Sequence, residues 1–297
     1  MAPHHRRRRA VALGVVVVAA VAAIAAIVVT AGGSARAGHT AQLSHAGFLA
    51  RLRALAGSGP GSLAAREAAA ENAAINRTLA YTPWVRIAGA QHREIALTFD
   101  DGPGPYTPEI VSVLEREHVP ATFFEVGVLE RYFYASTARI AADRDVIGDH
   151  TELHAPMSKL PAAQQRAQLL EDATAIGRHG APFPRLFRPP YGLWNATTLA
   201  LLRRYRMLMV LWTVDTNDYR RPGVAAIVHT AVSGARPGAI ILLHDAGGNR
   251  SETVAALPRI ITDLRRRGYK LVTVPRLLLD NPAPRVQDIA AVIGAGG

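Results

Sequence analysis

Residues 95–103, Ile-Ala-Leu-Thr-Phe-Asp-Asp-Gly-Pro, decide how the chain is read. Ile95 to Phe99 is nearly continuous in apolar and β-prone residues, as a strand covered on both faces should be, and the Asp-Gly-Pro after it is turn chemistry. Two adjacent carboxylates at a strand end can divide labour. Neighbouring residues leave the chain in different directions, so one can bind a metal while the other stays free as a base. An Asp-Gly-Pro turn that merely ends a strand has the same letters, so the surroundings must discriminate.

The same texture recurs downstream. ATFFEVG (121–127), LFRPP (186–190), LMVLWTV (208–214), AIILLH (239–244) and KLVTV (270–274) are predicted strands. Helices are predicted between them: one beginning at Pro108, one from Pro161 to about His179, one from the N-cap Asn195 to Tyr205, and one from Ser251 to Arg267 that stops at Gly268. Apolar strands alternating with helices imply a parallel α/β sheet, either doubly wound or closed as a barrel. The barrel is preferred because the notable polar residues sit where strands end, the face on which barrel active sites lie.

Four further clusters carry chemistry. In Gly148-Asp149-His150-Thr151-Glu152-Leu153-His154 the two histidines are four apart, a spacing that places both on one face of a helical turn and lets them reach one ion. With Asp101 they make a His, His, carboxylate set with positions left for water, as catalytic zinc sites have. In Arg188-Pro189-Pro190-Tyr191-Gly192 the prolines stiffen a loop and the glycine permits an unusual backbone angle, so a backbone N–H can face a reacting carbonyl. Trp212 precedes Asp215-Thr216-Asn217-Asp218-Tyr219. In the last cluster, Ile240 to Asp245, a period of two puts Ile240, Leu242 and His244 on one face. His92, His118, His179 and His229 have no ligand spacing and read as surface or structural residues.

The five segments in this order resemble the polysaccharide deacetylases of the NodB type, carbohydrate esterase family 4, over about two hundred residues. The resemblance implies a distorted (β/α) barrel. It casts Asp101, His150 and His154 as the metal triad, Asp100 as general base with Arg188 as its tether, and the Tyr191 backbone N–H as oxyanion donor. It also casts His244 as general acid, Asp218 (with Asp215 beside it) as the acid's partner, and Trp212 and Leu242 as the lining of an acetyl groove. Two positions depart from the family pattern: Asp149 stands where asparagine is common, and Glu125 interrupts a usually apolar strand.

The implied reaction is removal of acetyl from an N-acetylated cell-wall or chitin-like glycan, with zinc as the expected divalent metal and cobalt or nickel as alternatives. Rival readings are an O-acetyl glycan esterase, an amidase acting on a small non-sugar molecule, and a non-catalytic wall-binding barrel. The formal charge of +11 is almost all arginine, since Lys159 and Lys270 are the only lysines. It favours anionic partners, but no motif supports nucleic-acid binding. The chain has no cysteine, which excludes disulfides, a thiol nucleophile and cysteine-based zinc sites.

Arg6 to Arg9 precede the uncharged stretch Ala10 to Ala31, 22 residues, enough to cross a hydrocarbon core of about 30 Å as a helix. Positive charge stays inside, so the rest of the chain is expected outside the membrane, either anchored or released by cleavage after Ala37 in Ala35-Arg36-Ala37. The expected organisation is a basic flank and anchor or signal over residues 1–37, a helical or flexible stalk over 38–85, the catalytic domain over 86–280 and a tail over 281–297. Within the stalk, Gln42 to Ala56 and Leu63 to Leu79 are candidate helices on either side of GSGPGS at 57–62.

Overall fold

The computed structural model describes residues 62–143 and 145–288. Helix α1 (Leu63–Leu79) begins at Ser62, whose hydroxyl accepts from the Ala65 N–H at 3.1 Å. It is followed by β1 (Trp84–Val85), β2 (Glu94–Gly102), α2 (Thr107–Glu117), β3 (Thr122–Glu125), α3 (Gly127–Ala142) and β4 (Val146–Asp149). The chain continues through α4 (Ala162–Arg178), β5 (Leu186–Phe187), α5 (Ala196–Tyr205), β6 (Leu208–Val210) and β7 (Val214–Asp215). It ends in α6 (Val224–Ser233), β8 (Ile240–His244), α7 (Ser251–Arg266), β9 (Lys270–Leu271) and α8 (Val274–Asp280).

The named strands form one parallel sheet in the order β1-β6-β5-β4-β3-β2-β8-β7, with β9 pairing the start of β2. The sheet curls as a half-barrel, and an antiparallel bridge from Ile87 to Ala239 ties the chain after β1 to the chain before β8. Strand β2 lies between β3 and β8, and Asp101 is its one residue that is not buried. Phe99 stacks on Phe123 at 5.2 Å, and Ile110 and Leu114 of α2 and Leu257, Ile260 and Leu264 of α7 join them in the largest apolar cluster. That burial is the main favourable term holding helices to sheet.

The helices predicted to start near Pro108, Pro161, Asn195 and Ser251 form within a residue or two of those bounds. Asn195 caps α5 reciprocally with Thr198. The stretch 208–214 breaks into two strands, and Val274 opens α8 instead of ending a strand. Helix α1, expected within a stalk, packs Ala74 and Ile75 against Val274, Leu277 and Leu278 of α8, and β1 pairs with β6. Past α8, the Asn281 side chain accepts from the His92 N–H and donates to Glu94, and Gln287 accepts from the N–H groups of Arg86 and Ile87. Among the described residues no helix is long and apolar enough to cross a membrane. The stretch Ala10 to Ala31 lies outside the described residues.

Candidate active site

The five sequence clusters converge at the C-terminal ends of the strands, on a cleft of about 750 Å³. A larger depression of about 1110 Å³ lies under α1 and holds none of the candidate residues.

Strand alternation would send Asp100 and Asp101 to opposite faces. A break in the β2–β3 register between Asp100 and Gly102, with Asp101 at φ 72°, overrides it, and both carboxylates line the cleft. Gly247 backs Asp101 closely: a Cβ there would lie 2.3 Å from Asp101 Oδ2, and its φ of +71° suits glycine.

His150 and His154 do not share a helical turn as their spacing suggested. They come after β4 on a loop in which Thr151 (φ 72°) and His154 (φ 51°) are left-handed. Buried polar bonds hold that shape. Asp172 Oδ2 accepts from the His150 N–H at 2.9 Å, and Asp149 Oδ1 accepts from the Thr151 N–H at 2.9 Å. The two rings end 5.0 Å apart by centroid.

His150 Nδ1–H donates to the Arg188 carbonyl at 2.7 Å, which leaves Nε2 unprotonated in the neutral ring, 3.6 Å from Asp101 Oδ1. His154 Nε2 lies 3.1 Å from the same oxygen, and one ligand atom from each of the three residues falls within 4.8 Å of the others. Two imidazoles and a carboxylate so placed fit a divalent metal. Although burial resists ionisation of Asp101, bonds to His150 and His154 hold its carboxyl well below the usual carboxylate range.

Arg188 is completely buried. It donates to Asp100 Oδ1 at 2.7 Å, to Thr98 at 2.9 Å and to the carbonyls of Val210 and Leu211, and it lies 4.2 Å from the centre of the Phe124 ring. Asp100 Oδ2 remains directed at the metal ligands, 3.8 Å from His150 Nε2. Tyr191 sits at φ 60° in the turn Pro190–Gly192, with its hydroxyl 3.1 Å from His154 Nδ1 and its ring in edge contact with that imidazole. No backbone acceptor engages the Tyr191 N–H among the described residues.

His244 ends β8 with Nδ1 2.7 Å from Asp218 Oδ1. Asp218 is further anchored by Thr216, Thr253 and the His244 N–H. Burial disfavours the imidazolium, but the bond to Asp218 and its charge, with help from Asp101 and Asp100, push the His244 pKa up to about 9. Trp212 and Leu242 cluster with Leu211 beside it. Asp215 also lines the cleft, but its carboxylate caps the Asn217 N–H and makes no bond to His244.

The departures from the family pattern are neighbours. Glu125 and Asp149 pair across β3 and β4, both fully buried. With Glu130, Asp172 and Asp245 they form a set of interior acids, several of whose oxygens have no hydrogen-bond partner among the described residues. Burial is the first cause of raised pKa values in all five, and Glu125 is pushed up to about 8, also by the charge of Asp245.

Residues 88–210 match the family described as polysaccharide deacetylase. The chain is 37% identical over 199 residues to a chitooligosaccharide deacetylase of Bradyrhizobium sp. (strain ANU 289), covering 62% of this chain and 90% of the relative. The chain belongs to the polysaccharide deacetylase family. A peptidoglycan-N-acetylglucosamine deacetylase of Bacillus cereus is 37% identical over 191 residues, covering 62% of this chain and 87% of that protein. The crystal structure of the Bc1960 peptidoglycan N-acetylglucosamine deacetylase superposes with a TM-score of 0.65 at 30% identity, over 71% of this chain and 99% of that one.

Several residues that complete this family site had no sequence signal. Thr253 and Asp172 act from helices distant in sequence, and nothing local marks them. Thr98 was readable, because period two puts it beside Asp100, and both bond Arg188.

Proposed function

We propose that this deacetylase removes the acetyl group from N-acetylglucosamine units of a chitooligosaccharide- or peptidoglycan-type glycan. The observation that carries the reading is the pairing, in one cleft, of a carboxylate oxygen facing the ligand set (Asp100) with a histidine held by a buried carboxylate (His244). Asp101, His150 and His154 would hold the metal, with zinc favoured for a set of two imidazoles and one carboxylate. When bound, the metal supplies Lewis acidity that polarises the acetyl carbonyl and eases ionisation of water.

Asp100 then takes the proton of the attacking water, with Arg188 fixing its other oxygen so that the free one stays aimed at the ligand set. The unengaged Tyr191 N–H is available to meet negative charge developing on the carbonyl oxygen. Protonated His244 delivers a proton to the departing nitrogen. An amine leaves poorly without that proton, so a histidine kept charged to about pH 9 supports an amide substrate over an ester. Trp212 and Leu242 supply the apolar wall for the acetyl methyl.

The basic flank Arg6 to Arg9 and the apolar stretch Ala10 to Ala31 support an extracytoplasmic location next to wall glycan, anchored or cut after Ala37. The test is acetate release with a free amine appearing in step, from N-acetylglucosamine oligomers or peptidoglycan, compared by kcat/KM with acetylated xylan. Acetate from xylan without new amine from glycan moves the assignment to an esterase. No acetate from any of them, by protein shown to hold its metal, moves it to another amide or to a binding role.

A further inference from the structure

Three positively charged or chargeable side chains line the cleft besides the two metal-ligand histidines, and they are not equivalent. His244 is committed to Asp218. The Arg250 guanidinium donates to the carbonyls of Ala246 at 2.6 Å, Gly247 at 2.9 Å and Asn249 at 3.4 Å, so it serves its own loop. Arg220 differs. It lines the cleft, its side chain is exposed, and among the described residues no carboxylate lies within ion-pair distance of it and no acceptor bonds its guanidinium.

The position of Arg220 is nevertheless defined. Its guanidinium lies 5.4 Å from the centre of the Tyr219 ring, and that ring stands edge-on to His244 at 5.3 Å. Asp215, which also lines the cleft, feels the Arg220 charge, but its carboxylate is turned to the Asn217 N–H. The cleft therefore combines apolar surface from Val126, Val128, Leu129 and Leu153 with one uncommitted, five-donor cation one aromatic ring away from the proton donor. Apolar surface suits the face of a pyranose and does not discriminate charge. A planar guanidinium with free donors suits a carboxylate.

We propose that Arg220 is a specificity-determining residue that selects a glycan bearing a carboxylate on, or next to, the sugar being deacetylated. This rests on the deacetylase reading of the same cleft. It separates a wall-type glycan whose lactyl carboxylates are free of peptide from a neutral chitin-type oligomer that the reaction chemistry alone treats alike.

The test uses the metal-loaded protein and three substrates: peptidoglycan glycan strands stripped of peptide to free the lactyl carboxylates, the same strands with those carboxylates converted to methylamides, and N-acetylglucosamine oligomers. The quantity read is the ratio of kcat/KM for the carboxylate strands to that for each neutral substrate. In the wild type it should exceed one and shrink as salt rises. Arg220→Ala should lower it about tenfold, through KM, the scale of one charge-assisted hydrogen bond. Arg220→Lys should lower it less, and Arg220→Glu should lower it further. Ratios equal in wild type, R220A and R220E, with acetate released from every substrate, overturn the proposal and leave the deacetylase reading standing. No acetate from any substrate overturns both.

Discussion

His244 and Asp218 are joined twice: the ring Nδ1 lies 2.7 Å from Oδ1, and the His244 backbone N–H donates to Oδ2 at 2.9 Å. The double attachment fixes both the tautomer and the direction of Nε2. With burial opposing and Asp218 favouring the charge, the imidazole stays protonated up to about pH 9.

The alkaline limb of kcat should therefore fall near pH 9 in the wild type, since the proton donor is lost as pH rises through its raised pKa. Asp218→Asn removes the charge that holds the proton, and the limb should move down towards the ordinary histidine value of about 6.5. The loss should be largest at about pH 8 to 9 and small near pH 6. A pH–kcat profile checks this; an unmoved limb in Asp218→Asn removes His244 from the acid role.

Asp100→Asn keeps the size of the side chain but cannot take a proton. Turnover should fall about 10²- to 10⁴-fold while the metal is retained. Elemental analysis beside kinetics separates the two effects, and near-wild-type turnover would remove Asp100 from the base role.

Neither His150 nor His154 has a spare ligand behind it among the described residues. His150→Ala and His154→Ala should each weaken metal binding by more than the about 10- to 100-fold that loss of an outer hydrogen-bond partner costs. Calorimetric titration of the metal reads this directly. Unchanged affinity in both variants would overturn the ligand assignment.

The interior acids give the domain a pH-dependent stability. Glu125 holds its proton in the folded state up to about pH 8, whereas the unfolded chain releases it near the ordinary value of 4.5. Between those values the folded state binds more protons, so this group's contribution is complete below about 4.5 and is lost as pH rises to 8. Glu125→Gln stays neutral, so its Tm should fall less than the wild type's between about pH 6 and 8.5, by several degrees on the scale of about 2–4 °C per kcal/mol. Parallel Tm–pH curves would show that Glu125 does not titrate with unfolding.

Much of the site was legible along the chain because its parts are local. Asp100 and Asp101 abut, His150 and His154 are four apart, Arg188 directly follows one buried strand and His244 ends another, so spacing and strand texture were enough to find them. The fold class was legible for the same reason: apolar runs alternating with capped helices leave few arrangements other than a helix-covered parallel sheet. Helix α3 was not legible, because its Tyr132 and Tyr134 face solvent and blur the apolar stripe.

What only the tertiary structure decided depends on distant partners. A four-residue spacing fits a helical turn or a loop equally; Asp172, from α4, makes the His150–His154 segment a loop by accepting the His150 N–H. The left-handed Asp101 that turns both carboxylates into the cleft lies at a break in the β2–β3 register. Whether Glu125 and Asp149 are surface charges or protonated interior acids is set by what covers them, and Glu130 and Asp172 come from helices folded over the sheet. Local sequence determines which chemical groups are present and their order on strands and helices. Positive φ angles and displaced pKa values are stable only where non-local contacts offset their cost, so they appear only in the folded molecule.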